Sequence, residues 1–419
     1  MFYQYLIDSF KQSLRGNRSY WIWMGSLSAV CFVGLLAYIK QLDEGLIVTG
    51  MSDQVSWGAY IANFTFLIGM AAAAVMLVIP AYIFHRKDAK AVVILAEGVA
   101  VAACLMAMLF VVVDLGSPER MWHMIPMLGF LNWPQSLLAW DIVVLSGYLV
   151  LNISIPIYFL YGKYADKTRD PRYFFPIILV AIAWAIALHT VTAFLFASNS
   201  GRPFWHTALL GPRFLASAFA SGPAIIVLAF RVIDARTKFN VPEETLRMLS
   251  VMIAVALQIN LFMLGSEAFT EFYSPTQHAA SAHYLFFGIG SHTKLVPWMY
   301  TAITIELIAV VLLMVRRYRE NPLLLSIACG FTAVGIWVEK GMGLIIPGFV
   351  PTPLGEIFEY GPSTVEILVS LGIWAFGLMV FTVLVKPVIA IELGALRFNR
   401  ETQSAPTSAI LPTAESSEA

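Results

Sequence analysis

The densest group of reactive side chains lies in residues 114–141, which read DLGSPERMWHMIPMLGFLNWPQSLLAWD. Carboxylates, an arginine, a histidine and tryptophans occur together there: Asp114, Glu119, Arg120, Trp122, His123, Trp133, Trp140 and Asp141. A histidine titrates near neutral pH and can exchange the proton that accompanies electron transfer. A carboxylate beside it can fix its tautomer and raise its basicity. Such side chains suit a quinone headgroup, which needs hydrogen-bond donors, a proton acceptor and an apolar slot for its tail.

A second group consists of ionisable side chains inside long apolar runs, where each costs about 2.5–3.5 kcal/mol to insert into a membrane. We expect the following members to transfer protons: Asp141, His189, Glu267, Glu271, Glu306 and Glu97. Most lie toward one face of the membrane, whereas Glu306 and Glu97 lie deeper. The alternative is that these groups reach interfacial water at helix ends or form packed pairs, such as Glu339 with an arginine of the same face.

The elements that position these residues are membrane-spanning helices. The chain of 419 residues is 59% hydrophobic and 12% charged, against roughly 25% charged in an average soluble domain. A span needs about 20 apolar residues, and ten runs qualify: 20–40, 55–84, 91–113, 133–161, 173–198, 212–233, 246–270, 296–316, 322–342 and 363–391. Lys plus Arg equals Asp plus Glu, so net charge indicates no nucleic-acid partner. We therefore predict an all-α integral membrane protein of about ten transmembrane helices.

Basic residues in the connections predict the orientation of the chain. One side has 20 Lys and Arg residues, and the other side has the six that follow: Lys40, Arg120, Arg202, Arg213, Lys294 and Lys340. Because basic loops stay in the cytoplasm, both termini are predicted to be cytoplasmic and residues 114–132 to face outward. The predicted membrane is the inner, cytoplasmic one, which the chain crosses many times.

The sequence divides into three parts. Residues 1–19 place Phe2, Tyr5, Leu6 and Phe10 near helical spacing and predict an interfacial helix. Residues 20–392 form the polytopic domain. The remaining residues, 393–419, predict a disordered cytoplasmic tail because they are rich in Ser, Thr, Ala, Pro and Glu.

The sequence argues against cofactors held by the chain itself. Cys31, Cys104 and Cys329 stand alone in apolar runs, so we expect no iron–sulfur cluster and no zinc site. A two-haem ladder needs histidine pairs at matching depth, but only His189 of the seven histidines lies clearly within a span. We therefore expect no such ladder, whereas a single haem on His189 or on a loop histidine stays open.

The run DLGSPERMWH at 114–123, followed by SLLAWD at 136–141, resembles the signature of the NrfD-like membrane subunits, which include the polysulfide-reductase membrane anchor. The stretch EGLIVTGMSDQVSWGAYIANFTFLIGMAAAAVMLVIPAYIFH at 44–85 is similar to one branch, the DsrP-type subunit of the sulfite-reductase-linked transmembrane redox complex. The similarity in hydropathy covers nearly the whole chain. The chain departs from the pattern at Ser117, where many relatives are expected to have a basic residue, so the charge of the loop is not carried over.

The resemblance implies two four-helix bundles, to which this chain would add two helices at its carboxyl end. It implies a subunit that reacts with menaquinone or a related quinone and exchanges electrons with a ferredoxin-like iron–sulfur subunit docked on the outer face. The complex would also contain a multihaem cytochrome c and further membrane and cytoplasmic redox subunits. Its implied quinone-binding residues are the following: His123, Asp141, Asp114, Arg120, Trp122 and Trp140. The alternative function is a proton-coupled secondary transporter, which intramembrane carboxylates also suit.

Overall fold

The computed structural model describes residues 1–125, 128–167, 174–273 and 278–398, and of His278 only the backbone. Its longer helices are α1 Phe2–Leu14, α2 Arg18–Glu44, α3 Ala59–Ile83, α4 Lys87–Asp114, α5 Leu137–Tyr164, α6 Phe175–Ala197, α7 Leu210–Arg236, α8 Glu243–Tyr273, α9 His278–Phe286, α10 Val296–Met314, α11 Pro322–Ile345 and α12 Thr364–Glu392. All except α1 and α9 are long and apolar enough to cross a membrane, which confirms the all-α fold with ten candidate spans. Most of the tail predicted to be disordered lies outside the described residues, as do Arg169, Arg172 and Arg400, which contributed to the predicted orientation.

Eight of the spanning helices form two bundles. Helices α3, α4, α5 and α6 pack in a ring, called here the first bundle. Helices α7, α8, α10 and α11 pack in a second ring, the second bundle. The bundles meet where α3 packs on α7 and α11 and where α6 packs on α7. The two four-helix bundles predicted from the resemblance are therefore present.

The position of the two additional helices differs from the prediction, which placed both at the carboxyl end. They are α2 and α12, one from each end of the chain, and they pack on each other and, through α12, on α4. Glycines allow the close crossing, because a Cβ atom on Gly34 would lie 2.7 Å from Gly372 Cα. Small residues let helix backbones approach in a membrane. A hydropathy profile gives the number and order of the spans but does not show which helices pack on each other, so it could not indicate that α2 packs on α12.

Helix α1 joins the two ends of the chain at the face opposite residues 114–132. Ser13 Oγ donates to the carbonyl of Val383 at 2.9 Å, and Tyr164 donates to Asp8 at 2.6 Å. Tyr5 is buried and its ring stacks on that of Phe2, whereas Leu6 and Phe10, one turn apart, remain exposed on another side of the helix. An exposed apolar side beside a membrane domain is typical of an interfacial helix, and the interfacial position of residues 1–19 stays a prediction.

The predicted outer face is formed by the carboxyl ends of α2, α4, α6, α8 and α11 and by the amino ends of the spanning helices that follow them in the chain. A buried polar network holds several of these helix ends together. Glu366, the N3 residue of a capping box with Ser363, accepts from the backbone of Gly50 at 2.6 Å and from Tyr360 Oη at 2.6 Å. Tyr360 Oη in turn accepts from the backbone of Ala59 at 2.7 Å. Tyr60 donates to Gln41, which donates to the carbonyl of Val113. The network ties α2, α3, α4 and α12 together.

Candidate functional site

Asp141 forms the centre of a polar contact between α5 and α6. It lies one turn inside α5, whose first turn is capped by Ser136. Its side chain is buried and accepts a hydrogen bond from Thr192 Oγ1 at 2.6 Å. His189 lies one turn before Thr192 on α6, is fully buried, and has Nδ1 3.0 Å from the carbonyl of Ala185. Because a carbonyl only accepts, Nδ1 carries the proton and Nε2 is left as a buried acceptor without a partner among the described residues.

The loop before α5 contains the predicted quinone-binding residues Arg120, Trp122 and His123, and their side chains are exposed. Residues Pro118–Met124 form a short 3-10 helix. The side chains of Arg120, Trp122 and His123 are exposed there, and the Trp122 and His123 rings are 4.0 Å apart. The rings of Trp140 and Trp133 lie with their centres 3.8 Å apart and are tilted by 39°. In the described part of the chain, His123 makes no hydrogen bond or ion pair with a carboxylate, so its pairing with Asp141 stays a prediction.

Asp114 lies at the end of α4, beside the network of Glu366. The charge of Glu366 acts on Asp114, and the Oδ1 atom of Asp114 is buried without a hydrogen-bond partner among the described residues. The structure therefore groups Asp114 with α2 and α12, while it groups Asp141 with α6. Asp114 and Asp141, both among the quinone-binding residues implied by the resemblance, therefore lie at two separate polar contacts.

The second bundle contains a buried ion network centred on Arg213 of α7. Arg213 donates to Glu339 of α11, with Nε 3.0 Å from Oε1, and also to Glu267 of α8. Asn260 Nδ2 donates to the other oxygen of Glu339 at 2.7 Å. These side chains are all less than one-tenth exposed. Buried charges occur in proteins when they are paired and hydrogen-bonded, and here a single arginine pairs with two carboxylates.

The next residue on α11, Lys340, lies against α7. It lies in a π-helical turn, Trp337–Met342, and its Nζ is 3.4 Å from the carbonyl of Phe214 and 4.0 Å from the centre of the Phe214 ring. The charge of Lys340 acts on His189. A π-turn inside an α-helix often marks a functional site. Here it places two consecutive charged residues, Glu339 and Lys340, in the protein interior.

The other predicted proton-transfer residues take three different positions. Glu267 and Glu271 line one crevice between α8 and α9 at the predicted outer face, as their one-turn spacing indicated. Glu306 on α10 is fully buried in the second bundle within range of the charges of Glu339 and Arg213. Glu97 is buried in the first bundle on α4, apart from these groups, and its charge acts on Tyr82 and Tyr148.

The sequence interpretation counted Arg213 and Lys340 as basic residues of the outer side, at the ends of the runs 212–233 and 322–342, and it missed that both are buried. Helix α7 begins at Leu210 and α11 runs to Ile345, so both residues lie within spans. The proposed packed pair of Glu339 with an arginine is confirmed by its contact with Arg213. Thr192, Asn260 and Tyr360 gave no signal in the sequence.

Aromatic rings cover the junction of the two bundles at the predicted outer face. Trp57 stacks on Trp205 at 5.6 Å, and Phe196 and Phe349 pack edge-on against both. Trp205 Nε1 donates to the carbonyl of Leu344 at 2.8 Å. The residues one turn or more below this cluster on α6 and α11 include His189 and Lys340, so the aromatic cluster separates them from the predicted outer surface.

The fold and the buried groups define a polytopic membrane protein with buried polar groups in both helical bundles. The family model described as polysulphide reductase, NrfD matches residues 47–351. The chain belongs to this family, and the match runs from just before α3 to just after α11, which are the two bundles without α2 and α12. Among the described residues, no group of three or more His, Cys, Asp or Glu side chains could hold a metal ion.

Curated relatives match the chain over most of their length. The chain is 25% identical to a putative dimethyl sulfoxide reductase membrane subunit of Halobacterium salinarum, over 85% of this chain and 88% of the relative. It is 25% identical to an Hdr-like menaquinol oxidoreductase integral membrane subunit of Archaeoglobus fulgidus, over 86% and 91%. It is 23% identical to a menaquinone reductase integral membrane subunit of Nitratidesulfovibrio vulgaris, over 86% and 89%.

Proposed function

We propose that this chain is the quinone-reactive membrane subunit of a multi-subunit respiratory redox complex. The observation that carries the proposal is the buried contact of Asp141 with Thr192, beside His189, in the first bundle of an NrfD family member. Two relatives are named as menaquinol or menaquinone oxidoreductase subunits, which supports menaquinone or a related quinone as the substrate.

The proposed chemistry divides between electrons and protons. The quinone headgroup would lie near Asp141 and Asp114, with His123, Arg120, Trp122 and Trp140 in the loop above it. Electrons would pass to or from an iron–sulfur subunit docked on the predicted outer face, because the three cysteines of this chain stand alone in apolar runs and do not form the usual ligand pattern of a cluster. Asp141 and His189 would take or give the protons that accompany reduction and oxidation. Glu267, Glu271, Glu306 and Glu97 would carry protons farther.

The proposed setting follows from the charge pattern and the resemblance. The chain would lie in the cytoplasmic membrane with both termini in the cytoplasm, as the basic loops predict. A multihaem cytochrome c and further redox subunits would complete the complex. The DsrP-type resemblance favours anaerobic respiration linked to sulfur metabolism.

The test compares two threonines on the same helix. Thr192→Val removes the hydroxyl that donates to Asp141, whereas Thr190→Val removes a hydroxyl that bonds only the carbonyl of Ile186 in its own helix. Because a hydrogen bond to a charged group contributes about 1.5–3 kcal/mol, we expect quinol-dependent electron transfer in the assembled complex to fall roughly ten- to a hundredfold in Thr192→Val. Asp141→Asn should reduce it further, and Thr190→Val should retain it. Full activity in both Thr192→Val and Asp141→Asn would refute the site.

The alternative, a proton-coupled secondary transporter, is favoured by the ion network around Arg213, since buried charges in membrane proteins often mark ion pathways. Purification from the native membrane distinguishes the two functions. Iron–sulfur or haem absorbance that accompanies the chain supports the redox subunit. A chain that purifies alone, without such absorbance, supports the transporter.

A further inference from the structure

The second bundle contains an odd number of buried charged groups. Two are cations, Arg213 and Lys340, and three are carboxylates, Glu267, Glu306 and Glu339. Each is less than one-tenth exposed, and all five lie within the spanning helices. If every group were ionised, the interior of this bundle would carry a net negative charge.

All of these groups except Glu306 have a polar partner in the described structure. Arg213 binds Glu339 and Glu267, and Glu339 also accepts from Asn260. Lys340 reaches the carbonyl and the ring of Phe214. Glu306 is different, because neither of its carboxyl oxygens has a hydrogen-bond partner among the described residues.

The surroundings of Glu306 disfavour a negative charge. Its side chain packs against the backbone of Gly335, where a Cβ atom would lie 2.5 Å from Glu306 Cγ. The charged groups that act on it are Glu339, which repels a carboxylate, and Arg213, which is already bound by two carboxylates. An unpaired carboxylate in a low-dielectric interior is so unfavourable that the group takes up a proton instead.

We propose that Glu306 holds a proton in the resting protein, so that the second bundle is a proton store distinct from the polar contact at Asp141. With Glu306 neutral, the two remaining carboxylates, Glu267 and Glu339, are both bound by Arg213. The neutral state of Glu306 follows from these contacts alone. Only the exchange of its proton during turnover rests on the proposed function, and the experiment below tests the neutral state.

The experiment uses the purified full-length chain in lipid and two independent measurements. Infrared absorption detects the carbonyl stretch of a protonated carboxyl group, which shifts when the exchangeable proton is replaced by deuterium. We expect Glu306→Gln to lose one such band relative to wild type. Glu320→Gln is the control, because Glu320 lies outside the spans and pairs with Arg316 at 2.8 Å as an ionised group; it should keep the band.

Thermal unfolding provides the second measurement. Glutamine has nearly the shape of a neutral glutamic acid, so Glu306→Gln should melt close to wild type. Glu339→Gln removes a charge that Arg213 binds and should melt well below wild type. An unchanged infrared band in Glu306→Gln would overturn the proposal. A melting temperature as low as that of Glu339→Gln, or a failure to fold where Glu320→Gln folds, would also overturn it. Neither measurement depends on quinone activity, so these outcomes leave the proposed function standing.

Discussion

Arg213 is expected to be the side chain on which the second bundle depends most. Replacement by methionine, Arg213→Met, keeps an unbranched side chain but leaves Glu339 and Glu267 as buried carboxylates without a cation. Removal of one partner of a buried ion pair costs about 3–5 kcal/mol. Arg213 bonds two carboxylates, with Nε 3.0 Å from Glu339 Oε1, and all three side chains are buried. We therefore expect a loss at the upper end of that range or beyond.

The assay is equilibrium unfolding in mixed micelles of a mild and a denaturing detergent. Since about 1.4 kcal/mol corresponds to a factor of ten, a loss of 3–5 kcal/mol changes the folding equilibrium by roughly a hundred- to several-thousandfold. The matched control is the triple variant Arg213→Met/Glu267→Gln/Glu339→Gln, in which the orphaned charges are also removed. Replacement of a whole buried ionic group by neutral residues is often nearly neutral, so this variant should recover most of the stability.

Two results would refute the reasoning about Arg213. A loss below about 1 kcal/mol in Arg213→Met would show that the carboxylates have other partners or are neutral. A triple variant no more stable than the single one would show that the cost comes from lost packing of the arginine stem instead of unpaired charge.

The remaining predictions concern the helix ends and the additional helix pair. Tyr360→Phe should destabilise the protein by about 1–3 kcal/mol, because the buried amide of Ala59 loses its acceptor and Glu366 loses a donor. The control in the same unfolding assay is Tyr318→Phe, at an exposed position. Burial, and then the charge of Glu366, raises the pKa of Tyr360 above its ordinary value of 10.0. The contribution of Tyr360 to the stability of the fold is therefore complete below that pH and is lost at higher pH. Tyr360→Phe should show a smaller alkaline loss of stability than wild type, and an equal loss would contradict this. Gly34→Ala should lower the stability by about 1–3 kcal/mol, because its Cβ would overlap the backbone of α12 at Gly372. Gly25→Ala on the same helix, where a Cβ atom would have nothing within 4 Å, should be neutral or stabilising. Equal effects of the two substitutions would refute the close crossing.

The spans could be predicted because each one depends on the hydropathy of its own residues. The described helices confirm all ten predicted spans. The sequence also indicated which acidic residues, such as Asp141 and Glu306, lie within these spans. The predicted runs 212–233 and 322–342 contained Arg213 and Lys340, but both residues were counted as basic residues of the outer side and their burial was missed. Both are stabilised inside the membrane by contacts with residues distant in the chain, such as that between Arg213 and Glu339, and a local pattern contains no trace of these contacts.

The candidate site shows the same division between local and distant information. An aspartate inside an apolar run stands out, so Asp141 was predicted. Its partner Thr192 lies 51 residues away and is a residue type that occurs in many spans without a polar partner. The role of α2 could not be predicted either, because its packing on α12 depends on two glycines at opposite ends of the chain. Burial and pairing of this kind arise only in the assembled fold.

The pairing of α2 with α12 also determines from which side the hydrocarbon phase reaches the first bundle. Of the most apolar windows of α3 and α4, 83% and 78% of the residues are buried, because neighbouring helices surround both. The corresponding shares for α5 and α6 are 33% and 39%, so these two helices are the lipid-facing wall of that bundle. A molecule dissolved in the bilayer would therefore meet the bundle along α5 and α6, the two helices that hold Asp141 and Thr192. Lateral entry past this wall requires no opening toward water.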